Sequence, residues 1–542
     1  MNKKHLLILL PLLLLASCGA NNNSSNNSKS EAITGLKATG IDSGIVLNWK
    51  AADNADSYVI YNGDEIYRET DNNFFTVNFL DNASTYHLGV AAKFNDTISD
   101  VVYLDAKPEA GKDYDPFIED LNTSLEKRIG NSKINTFLQT SNANSNNTNV
   151  YRLKNVINKM QNGESQTIAY IGGSITVGET AKALDDNNHQ KGYAYYSYKW
   201  LQEHYDKNNN SKFINASISG TDTCIATVRL EQDVLVNKPN LVFVEFCANN
   251  STSLFDMKTY ESLIRRILEQ DNNPAVVTLF SAVDYGGTNQ NSYARPIGDY
   301  YHLPMYSCLN GMEAICENIS QSRTDSIFKF FTDDGVHPND QGHKLYAKGL
   351  VYNLKNLINS DKDDTSYEIP NNPWREGYDC YTNLTYVNNK TNNNIITNLG
   401  SFVASDTSHR VLKDTADVVA YQNGWKKTAK DANEAMVIKV KCKSFFIIYF
   451  AGNPEVPGDP EGTFVASYQN DNDASDKGSL NWLANKTQKQ SDLKTINDNG
   501  KGWGNPCCII LMDNDVANDY TINIKMANTS ETGTLLAFGY TD

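Results

Sequence analysis

The chain has 542 residues, a formal net charge of −16 at pH 7 and 40% hydrophobic residues. That length accommodates several domains with packed cores. The acidic balance, with no Lys- or Arg-rich run, argues against nucleic acid as a partner and suits a soluble protein acting on an uncharged or non-acidic substrate.

At the N-terminus, Lys3 and Lys4 precede an apolar run from Leu6 to Leu15, followed by Ala16-Ser17-Cys18-Gly19. A positive start, a short apolar stretch and small residues at a cleavage point read as a signal peptide over residues 1–17. The run is too short for a membrane span. Leu15-Ala16-Ser17-Cys18 resembles the bacterial lipobox. The resemblance implies an exported lipoprotein acylated at Cys18, at the cell surface or outer face of a membrane and held there by its lipid only. Residues 18–31 then form a flexible tether, because a stretch of almost pure Asn and Ser cannot bury a core. The other eight cysteines show no C-x-x-C pattern, which argues against zinc and against a dense disulfide framework. Most read as small buried apolar residues, and any disulfide pairing stays open.

Residues 32–107 carry short alternating strands separated by turn residues: Ile45–Trp49, Ser57–Tyr61, Phe74–Val77 and Tyr86–Ala91. The order resembles a fibronectin type III module, with Trp49, Tyr58, Leu80 and Tyr86 at its core and tyrosine-corner positions. It implies a β-sandwich spacer whose aromatics are core. Residues 108–160 read as a linker with helices. One spans Phe117 to Ile134, and a second, Tyr151 to Met160, has Leu153, Val156, Ile157 and Met160 at helical spacing.

From 161 to 360 strands alternate with helices. The strands are Thr167–Ile171, Phe213–Ala216, Leu241–Phe246 and Ala275–Ser281. The helices are Ala194–Asp206, Cys224–Leu235, Tyr260–Gln270, Met305–Asn318 and Gln341–Leu357. This alternation predicts a three-layer α/β domain with a parallel sheet. Asp361–Asp364 and Pro370–Pro373 read as a linker. Residues 376–542 then turn to alternating strands and predict an antiparallel β-sandwich. Its strands are Ala435–Lys441, Ser444–Phe450, Thr463–Tyr468, Cys507–Met512, Tyr520–Lys525 and Thr534–Tyr540.

The chemistry concentrates in four blocks of the α/β domain. In the first, the apolar strand Ile168–Ile171 ends in Gly172-Gly173-Ser174, where two glycines let the chain turn sharply and present a serine at the sheet's carboxyl edge. The second is Asn215-Ala216-Ser217-Ile218-Ser219-Gly220-Thr221. The third is Val244-Glu245-Phe246-Cys247-Ala248-Asn249-Asn250. The fourth, Asp333-Asp334-Gly335-Val336-His337-Pro338-Asn339, holds an Asp and a His three apart on a loop. Together they offer a nucleophile, a base, an orienting carboxylate and oxyanion donors, which is what acyl transfer by serine needs. The α/β-hydrolase elbow G-x-S-x-G does not fit, because Thr176 stands where its second glycine belongs.

These blocks resemble, in order, the SGNH or GDSL hydrolase superfamily over residues 160–358, and most closely a bacterial subgroup of carbohydrate (acetylxylan-type) esterases. The resemblance implies a flavodoxin-like SGNH hydrolase fold, with Ser174 as nucleophile, His337 as general base and Asp334 as its orienter. The N–H groups of Ser174 and Gly220 and the Asn249 amide would form the oxyanion hole. No metal or other cofactor is needed. Gly172-Gly173-Ser174 departs from Gly-Asp-Ser, and Asn250 replaces an Asp, which puts a supporting hydrogen bond in question. Gly502-Trp503-Gly504-Asn505-Pro506 and Phe538-Gly539-Tyr540 resemble the domain that follows the hydrolase in that subgroup.

The expected activity is removal of O-acetyl groups from acetylated xylan- or mannan-type polysaccharide or oligosaccharide. The alternatives are a lipolytic or thioester-cleaving SGNH hydrolase, and a glycan-binding surface lipoprotein with an inactive hydrolase domain. His189, His302 and His343 read as surface or internally satisfied residues. Asp471, Asp473 and Asp476 lack the Gly and distal Glu of a calcium loop. Trp425, Trp482 and Trp503 read as sandwich core, with glycan contact by the C-terminal domain as the sharper hypothesis.

Overall fold

The computed structural model of the protein describes residues 31–542 except 96, 120–123, 183, 185–189, 285–288, 322–323, 409–419, 453–461, 484–488 and 492–504. The apolar leader, Cys18, most of the tether, His189 and Trp503 lie outside the described residues. The chain divides into two compact units, one ending at Asp113 and one running from Tyr114 to Asp542.

In the first unit, strands Thr34–Ile41, Gly44–Lys50 and Phe74–Asn78 pair in one antiparallel sheet. Strands Ser57–Asn62, Glu65–Thr70, Tyr86–Phe94, Thr97–Ile98 and Val102–Ala106 form a second. Alternation along each strand sends Ile45, Leu47, Trp49, Tyr58, Ile60, Leu88 and Val90 into one shared core. Trp49 and Tyr58 meet edge to face at 5.1 Å. The Tyr86 hydroxyl accepts the Asp81 N–H at 2.8 Å, pinning the turn that leads into its own strand.

The second unit is built on five parallel strands: β1 (Thr167–Gly172), β2 (Lys212–Asn215), β3 (Leu241–Glu245), β4 (Ala275–Phe280) and β5 (Met305–Ser307). Their order is β2-β1-β3-β4-β5. Ile168, Tyr170, Leu241, Phe243 and Val277 face one layer, which holds helices Tyr151–Gln161, Tyr193–Tyr205 and Asp340–Ile358. Ala169, Ile171, Val242, Val244 and Val276 face the other, which holds Thr223–Asp233 and Leu254–Leu268. A strand buried on both sides needs an unbroken apolar run, which is why Leu241–Val244 does not alternate. The strand order reverses beside β1, so the loops after β1, β2 and β3 converge on one crevice at the carboxyl edge.

Two expected helices are corrected. Met305–Ser307 is a strand, too short to show a period, and its helix begins only at Cys308, where Ser307 Oγ caps the Asn310 N–H at 3.0 Å. The Phe117–Ile134 helix is replaced by separate helices Pro116–Glu119, Ser124–Ile129 and Asn131–Thr140; Gly130 at φ 81° parts the last two. A left-handed residue cannot sit inside a right-handed helix.

The chain after Ser360 does not run free. Pro370 O accepts from Arg265 Nη1 at 3.0 Å, and the Tyr367 hydroxyl donates to Tyr301 O at 2.8 Å. Beyond it, the described residues form one antiparallel sheet of ten strands and not two separate sheets. The paired segments expected at 435–441 and 444–450 are one strand, Met436–Ala451, and those at 507–512 and 520–525 are one strand, Asn505–Met526. Bulges near Cys442 shift the alternation by one residue, so Met436, Ile438, Val440 and Cys442 share a core with Phe445, Ile447 and Tyr449 beyond the join. Met436 and Tyr449, at opposite ends of one strand, share a core with Trp425 and Phe464, so the sheet folds over on itself. Its other face, through Phe446, Ile448, Cys508 and Ile510, packs on Cys224, Ile225 and Val228 of the Thr223–Asp233 helix. That helix lies between two sheets, and all of Thr223–Leu230 is buried. The eight described cysteines are free thiols.

Candidate active site

Ser174 opens a four-residue helix, Ser174–Val177, directly after β1. The two preceding glycines are required for space, not for a left-handed turn, since neither has positive φ. A Cβ on Gly172 would fall 2.4 Å from Thr176 Oγ1 and 2.5 Å from Glu245 O. On Gly173 it would fall 2.0 Å from Asn249 Oδ1. The Ser174 and Asn249 loops therefore pack backbone to side chain, closer than any alanine allows.

The fourth block reaches the serine from the far end of the domain. His337 Nε2 lies 2.8 Å from Ser174 Oγ, and His337 Nδ1 lies 2.6 Å from Asp334 Oδ2. Asp334 Oδ1 accepts the N–H groups of Val336 and His337, each at 2.8 Å, so one carboxylate closes the turn and orients the ring. Burial alone would raise the pKa of Asp334. The His337 ring and these two N–H groups outweigh it and hold the carboxyl below its ordinary range.

Below the serine lies a buried polar network. Glu245, fully buried at the end of β3, accepts from Ser281 Oγ (2.6 Å), the Cys247 N–H (2.9 Å) and Thr176 Oγ1 (3.1 Å). Because Thr176 gives its proton to Glu245, the Tyr193 hydroxyl 2.8 Å away must donate to Thr176. Asn215, ending β2, donates to Thr176 O at 2.9 Å. Burial pushes the Glu245 carboxyl up, against these donors.

The loop carrying Gly220, at φ 71°, joins the same edge through the Ile218 N–H to Gly172 O bond. Among the described residues, Asn249 Oδ1 is buried without a protein donor. The exchange of Asp for Asn at 250 keeps a full set of partners. Asn250 Oδ1 accepts the Thr223 N–H at 3.0 Å, and its Nδ2 donates to Thr223 Oγ1 and Tyr293 Oη.

The structure thus brings together Ser174, Asp334 and His337 and places Asn249 and the Gly220 loop beside them. Other candidates stand apart or are satisfied internally. His302 lies on the turn before β5, at the opposite end of the sheet. Trp425 is core, stacked on Phe538 at 5.1 Å. Asp471, Asp473 and Asp476 accept bonds from Thr521, Ser475 and Tyr520. Trp482 falls on strand Lys477–Leu483. His343 is buried and satisfied internally, by the Tyr193 N–H and Glu179 O, as its sequence reading expected; roles for Glu245, Asn215 and Glu179 were missed. For Glu245 a signal existed, since a carboxylate inside an apolar strand must find partners.

Residues 170–345 match the GDSL-like Lipase/Acylhydrolase family. No curated protein sequence matches the chain. The fold is similar to that of a two-domain esterase (CEX) active on acetylated mannans. In its structure with mannopentaose the identity is 22%, the TM-score 0.57, and coverage 75% of this chain and 98% of that one. A second structure of that esterase gives 24% identity, TM-score 0.56, and 75% and 99% coverage. A catalytic mutant of Axe2, an acetylxylan esterase from Geobacillus stearothermophilus, matches at 18% identity over 36% of this chain and 96% of that one, with TM-score 0.29. The α/β domain of this chain belongs to the GDSL-like lipase/acylhydrolase family, and the protein is a carboxylic ester hydrolase of the SGNH type.

Proposed function

We propose that the protein is a serine esterase that removes O-acetyl groups from extracellular polysaccharide of mannan or xylan type through an acyl-enzyme. The observation that carries this reading is the continuous relay Asp334–His337–Ser174, with gaps of 2.6 and 2.8 Å, at the carboxyl edge of the sheet. His337 takes the Ser174 proton as Oγ attacks the ester carbonyl. The Ser174 and Gly220 N–H groups and the Asn249 amide hold the developing oxyanion. His337 then protonates the departing sugar hydroxyl, activates water and releases acetate. Support for a glycan substrate comes from the two-domain esterase active on acetylated mannans, whose fold this chain shares over 75% of its length.

Export, the lipid on Cys18 and a fibronectin-type spacer belong to the same proposal. They would hold the catalytic domain off a membrane surface, facing polymer outside the cell. The test is acetate release by the chain from Glu31 onward on acetylated mannan, acetylated xylan and p-nitrophenyl esters of acetate and butyrate, beside Ser174→Ala. Serine-dependent release from a polysaccharide supports the reading. Hydrolysis of butyrate without release from any glycan would replace it with a lipolytic one. Inactivity of a folded protein would replace it with a glycan-binding role.

A further inference from the structure

The nucleophile has a second acidic neighbour. Glu179 follows Ser174 by five residues, and its carboxylate Oε2 stands 3.7 Å from His337 Nε2, the same nitrogen that faces Ser174 Oγ. The side chain is 31% exposed, so it lines the open cleft and is not part of the core. The chain arrives there by reversing at Gly178, at φ 95°, and the Glu179 N–H then donates back to Ser174 O at 3.0 Å.

Three bonds stitch this turn to the loop that carries His337. The Thr180 hydroxyl donates to Pro338 O at 2.7 Å, and the Lys182 N–H donates to Asp340 Oδ1 at 2.7 Å. His343 Nε2 donates to Glu179 O at 3.3 Å, while its Nδ1 accepts the Tyr193 N–H at 3.3 Å. Thr180 itself sits at φ 70°. A β-branched residue is strained there and persists only where its surroundings over-determine it, a pattern that gathers at functional sites. The fold therefore holds Glu179 beside the imidazole at the cost of local strain.

From this geometry we infer that Glu179 is a positioning residue for the ester hydrolysis. Its carboxylate faces the His337 imidazolium formed when the Ser174 proton is taken and stabilises that charge as it develops. The inference rests on the serine-esterase reading above. Asp334 does the same at Nδ1; Glu179 serves the Nε2 side, where the reaction takes place. Attraction from an opposite charge at this range favours the protonated ring. Among the described residues, the groups facing His337 are Asp334, Glu179, the Ser174 hydroxyl and His343. Burial drives His343 down to about 4, so that ring is neutral at neutral pH. Asp340 lies behind His343 and acts on that ring.

The experiment is the pH profile of kcat/KM on p-nitrophenyl acetate for the wild type, Glu179→Gln, Glu179→Lys and Ser174→Ala. The acid limb reports the free enzyme's base. Removing the carboxylate should move that limb down by about half to one pH unit and lower the plateau about 3- to 10-fold, as a weaker base acts. Glu179→Lys should move the limb further in the same direction. An unshifted limb in both variants overturns the inference, whatever happens to the plateau, because a purely structural role would change rate without changing the titration. Activity remaining in Ser174→Ala would overturn the underlying esterase reading instead. An inactive Ser174→Ala with unshifted Glu179 variants would overturn this inference alone.

Discussion

The two walls of the cleft are built differently. On one side, Asp334 and His337 come from a single loop, with side chains 47% and 21% exposed, and their contacts span three residues of sequence. On the other, Ser174, Asn215, Glu245 and Asn250 come from the ends of three strands and are buried, and Thr176 beside the serine bonds to Asn215 and Glu245, 39 and 69 residues away. In the proposed mechanism, the group that becomes charged twice in a catalytic cycle sits where water can solvate it. The groups around the proposed nucleophile sit in a buried hydrogen-bonded network, where displacement would leave polar atoms unsatisfied.

Substitutions on either wall sharpen this contrast. The largest effect is expected from Ser174→Ala, which should lower kcat by roughly 10^6 with the melting temperature almost unchanged. A residual rate within 100-fold of wild type would remove Ser174 from the mechanism. On the exposed wall, Asp334→Asn should lower kcat by about 10^4, because an amide cannot hold the imidazole in the required tautomer. Folding should be little affected, as measured by circular dichroism, since the carboxylate is half in solvent.

On the buried wall, Gly173→Ala should cost about 10^2- to 10^3-fold in kcat, the range for losing one oxyanion donor. The new methyl would displace the Asn249 side chain, now 2.0 Å from where that Cβ must go. A wild-type rate for this variant would mean that Asn249 is not a donor.

The smallest effect is read in stability. Burial lowers His343 from the ordinary histidine value of 6.5 to about 4. Between these values the unfolded chain binds a proton that the folded chain refuses, so stability should fall as pH drops from about 6.5 towards 4, by up to roughly 3 kcal/mol. Urea titrations at pH 7, 5.5 and 4 should show this loss in the wild type and less of it in His343→Gln. An identical pH slope in the two proteins would assign the acid sensitivity to other groups.

These contrasts also explain what could be read in advance. Asp334 and His337 were legible because three residues of spacing on a loop already place the two side chains together. The need for Ser174 after two glycines was legible too, but the reason was not. The glycines relieve contacts with Thr176, Glu245 and Asn249, which come from elsewhere in the chain or from the next helical turn. Strand β5 escaped notice because three residues carry no period, and the sheet beyond Ser360 escaped as a single sheet because its bulges look like turns in sequence.

By itself the amino-acid sequence determined the alternation of strand and helix, the apolar runs of the doubly covered strands, and the residue types of the relay, since these depend on local spacing and hydrophobicity. Tertiary structure alone decided the register that sets Gly172 against Glu245. It also decided the reversal at Gly178 that brings Glu179 to His337, and the packing of the Thr223–Asp233 helix between two sheets. Each of these arises where segments distant in sequence meet, and close packing and buried hydrogen bonds then admit one arrangement.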